Sequence, residues 1–203
     1  EPLAVVEIDE SQVKASEITK EPSKTTYSFG IAKPKKEEVE CDLLVVGGGP
    51  GGYVAAIRGA QLGLSTILVE KDKLGGTCLN HGCIPTKTLS EGVKSLENIK
   101  HAAVFGIETE MHSVEMGKLI DRKDTVVNTL VGGIDLLMSN NGIRLINGEA
   151  KAISDMKIGV QNKKVDITII PKKIILALGS QPSKLNIDGA DNKNVLTSKE
   201  ILN

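Results

Sequence analysis

The apolar run Asp42-Leu43-Leu44-Val45-Val46 leads directly into Gly47-Gly48-Gly49-Pro50-Gly51-Gly52, and the residues that follow, Tyr53 to Leu62, have helical spacing. Few folds accept that order. A strand that ends in glycines and re-enters as a helix needs Gly47 for the tight turn. Gly49 then lets the backbone approach a pyrophosphate, and Gly52 lets the helix pack against the strand. The next strand, expected from Ser65 to Val69, ends in Glu70, eighteen positions beyond Gly52, where a carboxylate can accept hydrogen bonds from ribose hydroxyls. Glycines alone are a weak signal. With the strand, the helix, the second strand and the terminal acid in place, they predict two adjacent parallel strands beside a dinucleotide site.

A second constellation follows at Gly75-Gly76-Thr77-Cys78-Leu79-Asn80-His81-Gly82-Cys83-Ile84-Pro85-Thr86-Lys87. Five residues of regular helix rise about 7.5 Å, beyond the roughly 7 Å that a disulfide allows between Cα atoms. The two cysteines therefore cannot be bridged on one regular helix. Either the segment is distorted at Gly82-Cys83, with helix starting near Pro85, or the thiols stay reduced, and the flanking glycines favour distortion. Zinc is disfavoured, because its paired ligands usually stand closer and the remaining candidates, Cys41, His81, His101 and His112, show no ligand spacing.

Together the two runs resemble the pyridine nucleotide-disulfide oxidoreductases, and among them the dihydrolipoamide dehydrogenases. The resemblance extends from about Glu40 to the end of the chain and covers the FAD-binding domain of that family. It implies an α/β, Rossmann-like fold with a largely parallel sheet and an inserted antiparallel β-meander. It implies that Cys78 and Cys83 are catalytic, with Cys78 exchanging with substrate sulfur and Cys83 facing the flavin as a thiolate. FAD contacts are implied at Gly47, Gly49, Pro50, Gly52, Glu70, Lys71, Gly76, Thr77, Cys78, Lys87, Ala150, Gly179 and Ser180. The implied activity is reoxidation of protein-bound dihydrolipoamide, with NAD+ as the final acceptor. The implied partners are the lipoyl domain of a 2-oxo acid dehydrogenase complex and a second subunit in a homodimer. Glutathione and mercuric reductases share the cysteine pair, while Leu79 and Ile84-Pro85-Thr86-Lys87 lean towards the lipoamide enzymes. The alternative from another class is a piece that folds without flavin and is inactive.

Two positions depart from the family pattern: His81 stands where a small apolar residue is usual, and Ala177-Leu178-Gly179-Ser180 replaces Ala-Thr-Gly. No second Gly-x-Gly-x-x-Gly occurs. The nicotinamide-nucleotide domain is therefore expected to be missing, along with the family's interface domain and its catalytic His and Glu, so this portion alone is expected to be inactive. His81 is expected to be a solvated loop side chain rather than the base.

The rest of the chain sets the boundaries. Residues 1–40 are expected to be the remnant of a preceding, lipoyl-like domain plus a flexible linker, with a short strand at Glu1–Asp9 and a polar stretch through Val39. Residues 41–203 are the expected FAD-binding domain, incomplete at its C-terminus, and the start at Glu1 rather than Met suggests an excised or partial piece. Helix is expected from Pro85 to Lys100. A second helix, capped by Ser113 and ended by Asn140-Asn141-Gly142, carries an apolar stripe that includes Met116, Val127, Leu130, Ile134, Leu137 and Met138. Short strands follow at Ile143–Ile146, Ala150–Ile153, Lys157–Val160 and Val165–Ile170, and a last strand, Lys173–Leu178, is apolar enough to be buried on both faces. The expected sheet has helices on both faces. A formal net charge of −1 and 2% aromatic content argue against nucleic acid. No run approaches the roughly 18 apolar residues of a membrane span, and three cysteines do not suggest a disulfide-stapled secreted protein. A cytoplasmic protein is the expectation.

Overall fold

The computed structural model describes residues 36–110, 113–162, 166–183 and 185–202, all within the compact unit Lys33–Asn203. The strand expected at Glu1–Asp9 and the linker up to residue 35 lie outside the described residues. Strand β1, Lys36–Val46, enters the glycine turn and helix α1, Pro50–Gln61, and is followed by β2, Thr66–Glu70. Helices α2, Gly76–His81, α3, Cys83–His101, and α4, Met116–Asn140, come next, with a single 3₁₀ turn at Ala102–Phe105 after α3. Strands β3, Arg144–Asn147, β4, Glu149–Ser154, β5, Lys157–Gln161, and β6, Asp166–Leu176, precede a last short helix, α5, Ser198–Ile201. The six strands form one sheet in the order β3-β2-β1-β6-β5-β4.

The parallel part is as the glycine turn requires. Leu43 to Val46 pair with Thr66 to Val69, and β2 pairs in turn with β3, both in parallel. The antiparallel meander is β4, β5 and the first half of β6. Two features differ from expectation here. Ile143–Ile146 belongs to the parallel edge, as β3, not to the meander. The strands expected at Val165–Ile170 and Lys173–Leu178 are one continuous strand, β6, that passes through Pro171 and pairs with β1 from Lys36↔Asp166 to Val46↔Leu176. Proline is tolerated because β5 pairs only as far as Ile169, so beyond that point β6 carries a ladder on one side alone.

The same ladder corrects the boundary of the polar stretch. Lys36 to Glu40 are not linker but the first residues of β1, and Glu37 takes both guanidinium nitrogens of Arg144 at 2.8 Å each. Their charges conceal a strand held by backbone pairing rather than by buried side chains.

Among the described residues, helices cover one face of the sheet only. On that face Leu43, Val45 and Leu68 pack with Ala56 of α1, Leu79 of α2, and Ile134 and Met138 of α4. The opposite face buries Cys41, Leu44, Ile67 and Val69 against Val160, Ile167 and Ile169, so the meander, not a second helical layer, closes it. Burying apolar side chains at about 25 cal/mol per Å² stabilises both layers, and strands serve that end as well as helices do. The end of β6 is another correction: Ile175, Leu176 and Leu178 are exposed rather than buried. In α4 the stripe is core at Val127, Ile134 and Met138, while Met116, Leu130 and Leu137 are exposed. Glu115, not Ser113, precedes that helix, and it makes no side-chain cap bond. Gly142 does stop it, at φ +66°.

Candidate functional site

The site gathers at the C-terminal ends of the parallel strands, where open α/β sheets bind ligands. Gly47 has φ +106°, and a β-carbon there would strike the carbonyl oxygen of Ala177, just beyond β6. A β-carbon on Gly52 would strike the carbonyl oxygen of Gly47. These contacts fix the turn and bring α1 down onto it, as the glycine spacing predicts. Gly49 is the N-cap of α1 and Pro50 its first residue. No side chain caps this end and no acid lies in the first turn. The bare end offers amide hydrogens and the positive pole of the helix to an anion.

Glu70 at the end of β2 is already engaged. Its carboxylate accepts the Gly48 N–H at 2.6 Å and the Asp72 N–H at 2.8 Å. It therefore ties the glycine turn to β2 while keeping lone pairs for a ribose hydroxyl. Lys71 follows it, exposed at the rim. The Gly148 N–H donates to the Glu70 carbonyl at 2.8 Å, which brings the start of β4, with the half-buried Ala150, to the same end of the sheet. Gly179, at φ +69°, and Ser180 are exposed beyond β6. A bare helix end, a carboxylate at the second strand and a backbone turn closed by glycine fit the pyrophosphate and ribose of an adenine dinucleotide such as FAD.

The cysteine stretch comes from two helices. Cys78 lies in α2 and Cys83 is the first residue of α3, with Gly82 between them at φ −147° and ψ −112°, outside helical geometry. The distortion expected at Gly82-Cys83 is present, but the helix restarts at Cys83, two residues ahead of Pro85. Both sulfurs are free thiols, Cys78 half-buried and Cys83 exposed. Donating to Cys83 pushes the Cys78 thiol above its ordinary range. Partial burial and the charge of Cys83 add to that shift, while the Cys83 amide and the Lys87 ammonium oppose it. Lys87 therefore acts on the pair from one turn into α3. Cys41 stays apart, a free thiol buried in β1, its pKa raised by burial and by Asp42.

The two constellations touch. The Gly75 N–H donates to the Gly48 carbonyl at 2.8 Å, and a β-carbon on Gly76 would lie 2.6 Å from the Gly49 Cα. Thr77, next along α2, is exposed. Two contacts go beyond what the motifs announce: the Ala177 carbonyl oxygen lies where a β-carbon on Gly47 would stand, and the Asn80 amide holds the start of α2. His81 is not the solvated side chain expected: it is half-buried, its Nδ1 is buried without a partner, and it faces a cavity of about 320 Å³ with Lys73, Lys123 and Asp124. No cluster of three or more metal-ligating side chains occurs among the described residues. Nor is any described helix long and apolar enough to cross a membrane.

Comparison with known proteins converges on one group. Residues 41–203 match the profile of the pyridine nucleotide-disulphide oxidoreductases. A dihydrolipoyl dehydrogenase of Bacillus subtilis is 41% identical over 162 residues, which are 79% of this chain and 35% of that protein. The dihydrolipoyl dehydrogenase of Acholeplasma laidlawii is 39% identical over 81% of this chain and 49% of its own length. Among solved structures, the HOCl-induced flavoprotein disulfide reductase RclA from Escherichia coli superposes with a TM-score of 0.65 at 28% identity, over 80% of this chain and 34% of that one. The chain spans about a third of the first of these relatives.

Proposed function

The chain belongs to the pyridine nucleotide-disulphide oxidoreductase family, and on that premise we propose that it is the FAD-binding portion of a dihydrolipoamide dehydrogenase. The observation that carries the proposal is the contact between the two constellations: the helix bearing Cys78 is packed through Gly76 onto the Gly49 turn at the open end of α1. A redox pair and a dinucleotide cradle are thereby one site.

In this reading Gly47, Gly49, Pro50 and Gly52 shape the cradle, Gly76 and Thr77 line its cysteine side, and Glu70 and Lys71 attend the ribose end. Ala150, Gly179 and Ser180 contribute at the edge. FAD supplies a two-electron carrier between the cysteine pair and NAD+. Dihydrolipoamide attacks the oxidised pair at Cys78, displacing Cys83 as a thiolate. The second substrate thiol then attacks the sulfur bound to Cys78, leaving lipoamide disulfide and a reduced pair that holds the two electrons. The Cys83 amide and the Lys87 ammonium, both of which favour the charged form of Cys78, are placed to stabilise negative charge on the pair. The partners we propose are the lipoyl domain of a 2-oxo acid dehydrogenase complex and a second subunit of the parent homodimer, in the cytoplasm. The names of the B. subtilis and A. laidlawii relatives support the lipoamide branch over glutathione or mercuric reductase.

Titration of FAD into the full chain tests the cradle. Binding is expected to induce visible circular dichroism in the flavin, and Gly51→Asp is expected to abolish it. A β-carbon at Gly51 has open space, its nearest neighbour being the Ala177 Cβ at 4.0 Å, so the variant folds while setting a negative charge where the pyrophosphate lies. Equal binding by both proteins would contradict the proposal.

A further inference from the structure

Asn80 stands between the two cysteines and takes no part in the chemistry described above. Its side-chain amide donates twice, to the Leu74 carbonyl at 2.9 Å and to the Gly76 carbonyl at 3.0 Å. Two carbonyl acceptors leave no freedom in the amide orientation, since only the nitrogen can donate. The carbonyls bracket Gly75, and Gly75 and Gly76 are consecutive left-handed residues, at φ +94° and φ +58°. Gly75 is the N-cap of α2, and its carbonyl accepts only a long bond from the Leu79 N–H at 3.4 Å, so a side chain that holds both ends of the turn fixes its shape. The turn also carries the two contacts that seat α2 on the glycine cradle, the Gly75 N–H to the Gly48 carbonyl and Gly76 against Gly49. Asn80 is thus one end of a brace whose other end is the cradle, and Cys78 lies within it.

We infer that Asn80 is a positioning residue: its double hydrogen bond sets the pose of α2 and thereby the alignment of Cys78 with Cys83. This rests on the redox reading of the pair. Disulfide bonding tolerates only a narrow range of Cα separation and direction. Loosening α2 lowers the effective concentration of one thiol at the other, and the disulfide becomes easier to reduce. A residue that served only the fold would change stability and leave this equilibrium alone.

The test equilibrates the full chain with mixtures of glutathione and glutathione disulfide. Two protein thiols become one disulfide as glutathione disulfide accepts two electrons and two protons and leaves as two thiols. Loss of two hydrogen bonds of ordinary net strength is expected to lower the oxidation constant by at least about fivefold in Asn80→Asp and in Asn80→Ala. The first keeps the shape and cannot donate, and the second removes the group. Ser95→Ala, which deletes a comparable bond to the Glu91 carbonyl within α3, is expected to leave the constant unchanged. An unchanged constant in folded Asn80 variants overturns the inference alone. Should one variant fail to fold, the other decides, and if neither folds the role is structural and the inference falls. A wild-type pair that stays reduced at every ratio overturns the redox reading itself.

Discussion

Alanine at Gly52 would test the packing that joins the fold to its site. The new β-carbon falls within the radius of the Gly47 carbonyl oxygen. That oxygen has little room to retreat, because the Gly47 N–H is held by the Val69 carbonyl at 2.8 Å and the Ala177 carbonyl oxygen fills the place a Gly47 side chain would take. Overpacking typically costs about 1–3 kcal/mol, and a fixed backbone partner places the cost towards the upper end. The intrinsic helical preference of alanine over glycine offsets about 0.5–1 kcal/mol. The net loss is about 2 kcal/mol, or about 4–8 °C in Tm for a chain of this size. Gly132→Ala in α4 is the internal comparison, since a β-carbon there meets nothing within 4 Å and the helical gain is left whole. Urea unfolding of the three proteins, followed by far-ultraviolet circular dichroism, should rank Gly132→Ala above wild type and wild type above Gly52→Ala. A Gly52→Ala protein as stable as wild type would show that α1 does not press on the turn, and the steric account of the cradle would fail.

Asp42 accepts from the Ser65 hydroxyl at 2.7 Å and lies 2.8 Å from the Lys172 ammonium. Lys172, then Ser65, holds its carboxyl far below the usual carboxylate range. A depressed folded pKa gives stability that is present above the unfolded value of about 4 and is lost as pH falls through the folded value. The stability difference between wild type and Asp42→Asn should therefore hold steady from about pH 7 to about pH 5 and shrink in stronger acid; a difference that persists unchanged to about pH 2 would contradict it. Iodoacetamide at neutral pH should label the exposed Cys83 first and Cys78 more slowly, and should reach Cys41 only after unfolding. Labelling of Cys41 at the rate of Cys83 in the folded chain would place β1 wrongly.

The parts of this fold that could be read from the sequence are those in which one residue type answers one local need. Gly47 and Gly52 are glycine because a backbone oxygen occupies the place of a side chain, and Gly82 breaks the helix between the cysteines because five helical residues cannot span a disulfide. The parts that could not be read depend on distant partners. Pro171 looks like a strand end until β5 is known to stop pairing at Ile169. Lys36 to Glu40 read as linker because their place in the sheet comes chiefly from backbone pairing with Asp166 to Ile170, which their charged side chains do not announce. The apolar run at Ile174–Leu178 promised burial on both faces, yet its far end is exposed. The meander covers the second face through Val160, Ile167 and Ile169, whose pattern does not distinguish a cover of strands from a cover of helices. In the site, the hydrogen bond from Gly48 to Glu70 and the brace made by Asn80 join residues whose sequence neighbours say nothing of the contact.

The central claim is that Cys78 and Cys83 form one redox couple on the face of a dinucleotide cradle, and the most direct measurement is the mass of the chain after oxidation by glutathione disulfide. The account predicts the loss of two hydrogens, located to the peptide that holds Cys78 and Cys83, reversed by dithiothreitol, with Cys41 still alkylatable after unfolding. Separate glutathione adducts on Cys78 and Cys83, or a bridge that includes Cys41, would contradict it.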